Sequence, residues 1–349
     1  MDFRLTDEQE MLRDTVAALF ADHCSSNDLR CMLADGALRD PTRWRAIVEM
    51  GLPGLMVPEA MGGTGLGPVE MALVAIAAGH ALLPESLVEH AGVALPLLAD
   101  AGFALEDLAS DATIAVGSPG QALVADADSA SALVLAHATG TYFMLRADTT
   151  LSRVESVDPF RRLFRVAWEP NPRARIGDAS LWDAAFERGA LFTAAQLLGL
   201  AQRAVDLSVA YAAERHQFGK PIGSFQAIKH HLATAQMKIE FARPVVLAAA
   251  DLLAQDSVLA PTRISHAKIA AHTAADLAAH TAVQVHGAMG YSWEVDVHFV
   301  LKRVLALGAA WGSSAAHRAR VAAHVLASPL GADRTFGDPF AVEAVLEPA

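Results

Sequence analysis

Tyr211-Ala-Ala-Glu-Arg-His-Gln-Phe-Gly-Lys-Pro-Ile-Gly-Ser-Phe-Gln226 joins two long helical patterns across a tight loop. An apolar-periodic helix stops at Arg215, the chain turns through Gly219, Pro221 and Gly223, and a second helix restarts near Ser224. Such a loop gathers three features that favour an anion: a cation at a helix C-terminus, amides in a glycine-rich turn, and the free N–H groups of a new helix. Phe218 and Phe225 add flat apolar surfaces beside them. Taken alone, the same residues also suit a plain capped turn between helices, so the rest of the chain must decide.

Working outward, the chain of 349 residues divides by pattern into four stretches. Residues 1–112 carry helical periodicity broken at Pro41, Pro53, Gly62-Gly63 and Pro84, with Asp40-Pro41 reading as a helix start. Residues 113–178 change to short apolar runs between turn residues. Ala122–Val124, Ala132–Leu135, Tyr142–Leu145 and Phe164–Trp168 read as strands of a small β domain. Residues 179–328 return to long helices, about 182–215, 224–254, 260–286 and 295–325, which suits a four-helix bundle. Residues 329–349 read as a loose tail. The expected fold is mainly α with a small β domain.

Composition narrows the function classes. A hydrophobic content of 53% supplies ample core, and abundant alanine suits close helix packing. A net charge of −12 argues against nucleic acid or an anionic membrane surface as partner, so any anionic ligand must rely on local cations such as Arg215, Lys220 and Lys229. Cys24 and Cys31 make no metal or redox motif. No apolar run is long enough to span a bilayer and no leader pattern is evident, which points to the cytoplasm.

Four words in order make the loop more specific. Leu5-Thr6-Asp7-Glu8-Gln9 opens the first helix, Val57-Pro58-Glu59-Ala60-Met61-Gly62-Gly63-Thr64-Gly65 makes a turn, the 211–226 loop follows, and Gln284-Val285-His286-Gly287-Ala288-Met289-Gly290-Tyr291 closes the series. Together they resemble the acyl-CoA dehydrogenases, flavoenzymes that desaturate acyl-CoA thioesters. The resemblance implies FAD as cofactor and an arrangement in which one chain holds the flavin ring while its neighbour holds the pyrophosphate and adenosine. On that template the cofactor-binding residues are Arg215, Gln217, Phe218, Gln226, Gln284, His286, Gly287 and Ala288. Ala288 departs from the family's second glycine and adds a methyl group where backbone and ligand approach.

Two further departures shape the expected role. Residues 115–121, Ala-Val-Gly-Ser-Pro-Gly-Gln, replace the family's ring-holding loop, the later Trp-Ile-Thr-Asn-like strand is missing, and the β domain is short. Val157-Asp158-Pro159-Phe160-Arg161-Arg162-Leu163 remains, resembling a strand-edge word of the steroid-type members. The family also needs a glutamate to take the α-proton. Its usual position, counted from Lys302 or Arg303, falls on Trp311-Gly312, and the alternative position on the helix before the loop falls near Gly189-Ala190. Glu187 stands about two residues early, roughly 200° around the helix. No catalytic residue is therefore assigned. The pattern resembles the smaller, non-catalytic subunit of heterotetrameric (α2β2) steroid-type acyl-CoA dehydrogenases, whose longer homologous partner supplies the ring pocket, the glutamate and most of the acyl-CoA site.

Two other readings stay open. One is a self-sufficient homomeric enzyme using Glu187, Glu294 or Asp296 as a displaced base. The other is a flavin-free helical assembly protein that reuses the fold. His272, Asp276 and His280 recur at helical spacing, but the outer pair lie about 12 Å apart along the axis, so they read as a polar stripe and not a metal clamp. His230-His231 reads as a solvated or interface pair, and Trp293 and Trp311 as packing residues, with Trp311 a candidate plug of an empty acyl pocket.

Overall fold

The described residues of the computed structural model (4–36, 39–108, 111–118 and 123–328) fold into helical regions on either side of a small β region. Helix α1 (Asp7–His23) starts at a reciprocal cap, in which Gln9 N–H donates to Thr6 Oγ1 and Thr6 N–H to Gln9 Oε1. Helices α2 (Ser26–Ala34) and α3 (Pro41–Glu49) follow. The Asp40 carboxylate accepts from Thr42 and Arg43 N–H, with Pro41 in the first turn, as the sequence leads one to expect. The Gly62-Gly63 word turns tightly: Gly62 has φ +85°, and a β-carbon on Gly63 would lie 2.6 Å from Gly54 O. Then come α4 (Pro68–His80) and α5 (Leu87–Glu89), which runs through a π-helical stretch (His90–Ala94) into α6 (Leu95–Asp100).

Among the described residues, seven strands form two sheets between the helical regions. Strands β1 (Ile114–Gly117), β3 (Ala132–His137), β4 (Gly140–Leu145) and β7 (Arg175–Gly177) make one sheet, in the order β1-β3-β4-β7 with β1 parallel to β3. Strands β2 (Val124–Ala125), β5 (Thr150–Val154) and β6 (Leu163–Ala167) make the other, in the order β2-β6-β5. The sequence anticipates β2, β3, β4 and β6 and misses β1, β5 and β7. Residues 119–122, which cover part of the replaced ring-holding loop, and the tail 329–349 lie outside the described residues.

The last region is the bundle: α7 (Leu181–Glu214), α8 (Gln226–Ala254), α9 (Ala260–His286), α10 (Val297–Ala309) and α11 (Ser314–Ala327). Two expectations need correction. Ile222–Ser224 forms a 3-10 turn, so α8 begins at Gln226 and not at Ser224. The helix expected over 295–325 is two helices, because Trp311 and Gly312 both take positive φ (+54° and +97°) and Ser313 caps a new start by accepting from Ala316 N–H.

Glycines and buried ions lock the regions together. At the α4–α7 crossing, a β-carbon on Gly199 would lie 2.6 Å from His80 N, so the backbones touch. Arg43, 1% exposed, donates to both oxygens of Glu85 (2.7 and 2.9 Å) and to His23 O. Arg303 pairs with the fully buried Asp158 and donates to Leu83 O at 3.0 Å, while Phe160 packs on Phe299 with ring centroids 5.1 Å apart. The Val157–Phe160 word thus clamps the β region to α10 and to the chain before α5. Removing one partner of such a buried pair costs about 3–5 kcal/mol.

Candidate functional site

Helix α7 ends because Arg215 leaves the helical region (φ −74°, ψ 121°) while its N–H still closes the last turn on Tyr211 O. Beyond it, strands β8 (His216–Gln217) and β9 (Lys220–Pro221) pair as a two-residue hairpin whose turn is Phe218-Gly219. Both turn residues have positive φ, +54° and +79°, the geometry of a type I′ turn. Glycine adopts it freely; phenylalanine does so only at a cost. Phe218 is also 92% exposed, with its one ring contact made edge-on to Phe225 at 6.1 Å. Lys220 Nζ lies 4.5 Å from the Phe225 ring centroid.

Ile222 N–H returns to Arg215 O at 2.8 Å and closes the loop, and a β-carbon on Gly223 would sit 3.0 Å from Ala212 O. Helix α8 then starts with Phe225 in the N-cap position, where no side chain caps it, so its first amides stay free. Arg215, Gln217 and Gln226 are exposed, and none of their side chains has a hydrogen-bond or ion-pair partner among the described residues.

The second word lies at the same end of the bundle. Helices α7 and α9 run in the same direction, and His286 at the end of α9 stacks on Tyr211 at the end of α7, with centroids 4.2 Å apart and planes 23° apart. His286 is buried, its Nδ1–H donates to Ala282 O at 2.8 Å, and desolvation pushes its pKa down. Its ring therefore joins two helices and does not share the outer surface. Gln284, Gly287 and Ala288 do lie on that surface. Gly287 takes φ +60°, while Ala288 has negative φ and carries its methyl group without backbone strain.

This donor set suits half of a dinucleotide. A guanidinium and free helix amides match a pyrophosphate, uncommitted amide side chains match a sugar or purine edge, and exposed aromatics match flat rings. Among the described residues, no hydrogen-bonded or ion-paired group blocks it, and nothing lies within 4 Å of a β-carbon built at Gly219 or Gly287, so the space above both turns is open.

The opposite end of α7 is closed. Trp311 is 3% exposed, and its indole lies on Gly189, where a β-carbon would be 2.5 Å from Trp311 Cε2 and nearer still to Cδ2. Sequence reasoning reached each residue separately and missed their contact. It also missed the groups that hold Trp311. His317 Nε2 lies 2.9 Å from Trp311 O with Nδ1 3.0 Å from Ser265 Oγ, and His272 Nδ1 is 2.7 Å from Ser314 Oγ. Lys268 Nζ, 1% exposed, donates to Leu307 O at 2.9 Å, and burial pushes its pKa down to about 7. Trp311 Nε1–H reaches Glu89 Oε1 at 3.4 Å, and Arg161 shares that oxygen. The space between Glu89, Arg161, Asp126 and Arg303 is about 30 Å³, room for a water and not for an acyl chain.

The remaining candidates scatter. Asp296 pairs with Arg30 at 2.5 Å, and Glu294 is exposed. Arg30 also donates to Trp293 O. Arg188 pairs with Asp100 at 2.5 Å. Glu187 Oε1 accepts from Arg320 at 2.5 Å, its Oε2 is buried without a partner, and burial raises its pKa. It lines a cleft of about 560 Å³ with Phe186, His317 and Arg320. His272 turns into the α10–α11 junction while His280 is exposed and meets Asp276 O at 2.8 Å, so the spaced polar residues of α9 serve separate contacts. His230 and His231 are exposed; Cys24 is buried and Cys31 exposed, both as free thiols. Among the described residues, no helix is long and apolar enough to cross a membrane.

Comparison with known proteins shows the family. Residues 6–103 match the model of the acyl-CoA dehydrogenase N-terminal domain and residues 180–326 that of the C-terminal domain. The chain is 35% identical over 302 residues to the acyl-CoA dehydrogenase IpdE2 of Mycobacterium tuberculosis, covering 85% of this chain and 91% of that one. Its fold superposes on a chain of the ChsE4–ChsE5 complex from Mycobacterium tuberculosis with a TM-score of 0.86 at 22% identity, covering 95% of this chain and all of that one. The Tcur3481–Tcur3483 steroid acyl-CoA dehydrogenase, as its G363A variant, superposes with a TM-score of 0.80 at 23% identity over 91% of this chain and 97% of that one. This chain, mainly α with a small β domain, belongs to the acyl-CoA dehydrogenase family, whose cofactor is FAD.

Proposed function

We propose that this chain is the non-catalytic subunit of a heteromeric, FAD-dependent acyl-CoA dehydrogenase that desaturates a bulky, steroid-type CoA thioester. It contributes the pyrophosphate and adenosine half-site, and a longer homologous subunit contributes the ring pocket, the glutamate and most of the acyl-CoA site in an α2β2 assembly. The observation that carries this reading is the contrast between the two ends of α7: an open, uncommitted donor set at Arg215 and an indole packed on Gly189 where the family's base would stand. Two of the similar structures bear the names of two-protein pairs, which supports a heteromer.

In this reading Arg215 and the first amides of α8 neutralise the pyrophosphate, and Gln217, Gln226 and Gln284 give direction to the sugar and base. Phe218 offers its exposed face to the adenosine side. His286 acts from behind, fixing the α9 terminus against Tyr211 so that Gly287 and Ala288 are presented at one height. When bound, FAD supplies the hydride acceptor for the β-hydrogen. No residue of this chain takes the α-proton. The residues 113–178 form the truncated β domain between the domains 1–112 and 179–328, and its clamp through Asp158 and Arg303 keeps the partner-facing surfaces in register.

Co-expression with a longer homologous subunit tests the assignment. Arg215→Ala is expected to strip FAD from the pair without unfolding either chain, whereas retained stoichiometric FAD would overturn it. One observation favours a second reading, a self-sufficient enzyme: Glu187 has an unpartnered buried oxygen and a raised pKa beside a 560 Å³ cleft. Glu187→Gln separates the two. The heteromer keeps its turnover; a homomeric enzyme using Glu187 as base loses it by at least about a hundredfold.

A further inference from the structure

A second cavity lies far along α7 from Trp311 and belongs to neither the flavin half-site nor the Glu187 cleft. It occupies about 570 Å³ between α1, α4, α7 and α8. Its space comes from small residues set one helical turn apart on facing helices: Ala17 and Ala21 on α1, and Ala77 and Ala81 at the end of α4. Gly199 bounds the slot on the α7 side, where its backbone touches α4. Phe20, Leu73 and Ile76 supply an apolar wall. A slot this size would fill with one molecule of about twenty heavy atoms or fewer, and pockets of this volume and lining hold small ligands in other proteins.

The charged side chains at the slot have one sign. Arg13, Arg203 and Arg243 line it together with His80, and no carboxylate does. Arg13 leans on Asp14 and Arg243 is 3.9 Å from Glu240, so both are partly compensated at their exposed sides. Arg203 is different: it is half-buried, and its guanidinium makes no hydrogen bond or ion pair with any described residue. The neighbouring carboxylate, Asp206, is already taken, with His80 Nε2 2.9 Å from Oδ2 and Gln202 Nε2–H donating to Oδ1 at 2.9 Å. A half-buried guanidinium without an acceptor beside an apolar slot is free to pair with the carboxylate of a ligand held there.

We propose that this cavity is a binding site for an amphipathic carboxylate, with its head on Arg203 and its unbranched apolar tail between α1 and α4 along Phe20, Leu73 and Ile76. The site stands apart from the flavin reading: none of its lining residues belongs to the Arg215 loop, the Gln284 word or the Trp311 turn. Its shape suits a chain of medium length, since the slot is bounded by the α4–α7 crossing at Gly199. An occupant would tie α1 to the bundle and so couple the N-terminal helices to α7.

Decanoate and 1-decanol, titrated calorimetrically into the full-length protein below their aggregation limits, test this. Decanoate is expected to saturate one site and to bind at least tenfold tighter than decanol. Arg203→Met is expected to remove that tenfold preference while leaving decanol unchanged. Ala77→Phe fills the slot and is expected to abolish both; Ala21→Trp, at an exposed position on the mouth, does the same without burdening the core. The proposal is overturned if decanoate gives no saturable heat, if it binds no better than decanol, or if its affinity survives both Arg203→Met and Ala21→Trp. Because the readout is heat and not turnover or flavin content, failure here leaves the subunit assignment untouched, and the reverse also holds.

Discussion

The indole of Trp311 rests on the bare backbone of Gly189, so that neither residue can change size without the other. The two positions that the proposed reading assigns to the family's base are thereby brought to one point, where a large side chain and an absent one fit together. Nothing ionisable lies between them. Glu89, which the indole N–H reaches, is engaged by Arg161 as well.

The packing gives a double-mutant test. Gly189→Ala is expected to destabilise the chain by about 1–3 kcal/mol through overpacking. In a Trp311→Ala background, where the ring is gone, the same substitution is expected to cost less than about 0.5 kcal/mol, a coupling that contacting residues show. Urea unfolding of the four proteins measures it. Equal costs in both backgrounds would mean the contact carries no energy.

Phe218 is strained in its backbone and exposed in its side chain, with an edge-on contact to Phe225 as partial compensation. Phe218→Gly is therefore expected to raise the stability of the isolated chain, by up to about 1 kcal/mol, since glycine accepts φ +54° without the steric cost. The same change is expected to weaken flavin retention in the assembled pair. Thermal melts of the lone chain and flavin content of the pair report the two effects. A drop in the lone chain's stability would contradict this.

His90 sits in the π-helical stretch, buried, with its Nδ1 accepting from Ile114 N–H at 3.1 Å, and burial pushes its pKa down to about 3. The folded chain therefore keeps it neutral while the unfolded chain protonates it near pH 6.5. Between pH 6.5 and 3 the unfolded state binds the extra proton, so stability present above pH 6.5 is lost as pH falls, at up to about 1.4 kcal/mol per unit. His90→Asn, which keeps an acceptor for Ile114, is expected to show a shallower loss between pH 6.5 and 4.5. Identical slopes in urea midpoints for the two proteins would assign the acid sensitivity elsewhere.

Local words were legible in the sequence and long-range pairings were not. The 211–226 loop announced itself because glycine, proline and a terminal arginine each act within a few residues, and the long helices of the bundle followed from periodicity. Strands β1, β5 and β7 were missed: β1 pairs in parallel with β3 across a connection, β7 is three residues long, and β5 carries an exposed pattern with little apolar alternation. The break at Trp311-Gly312 was hidden because the apolar period continues on both sides; Gly312 before Ser313 was the available signal. Glu89, Lys268 and His317 gave no motif at all, since each matters only through a partner brought near by folding. His286 shows the converse, a residue that a motif marked as facing the ligand and that packing turned toward Tyr211.

Flavin stoichiometry tests the division of labour most directly. The chain purified alone and the chain co-purified with a longer homologous acyl-CoA dehydrogenase subunit are each denatured, and released FAD is quantified per polypeptide. The account predicts no stoichiometric FAD and no turnover for the lone chain, and one FAD per unlike pair with activity for the complex. Stoichiometric FAD together with dehydrogenase activity in the lone chain would contradict it.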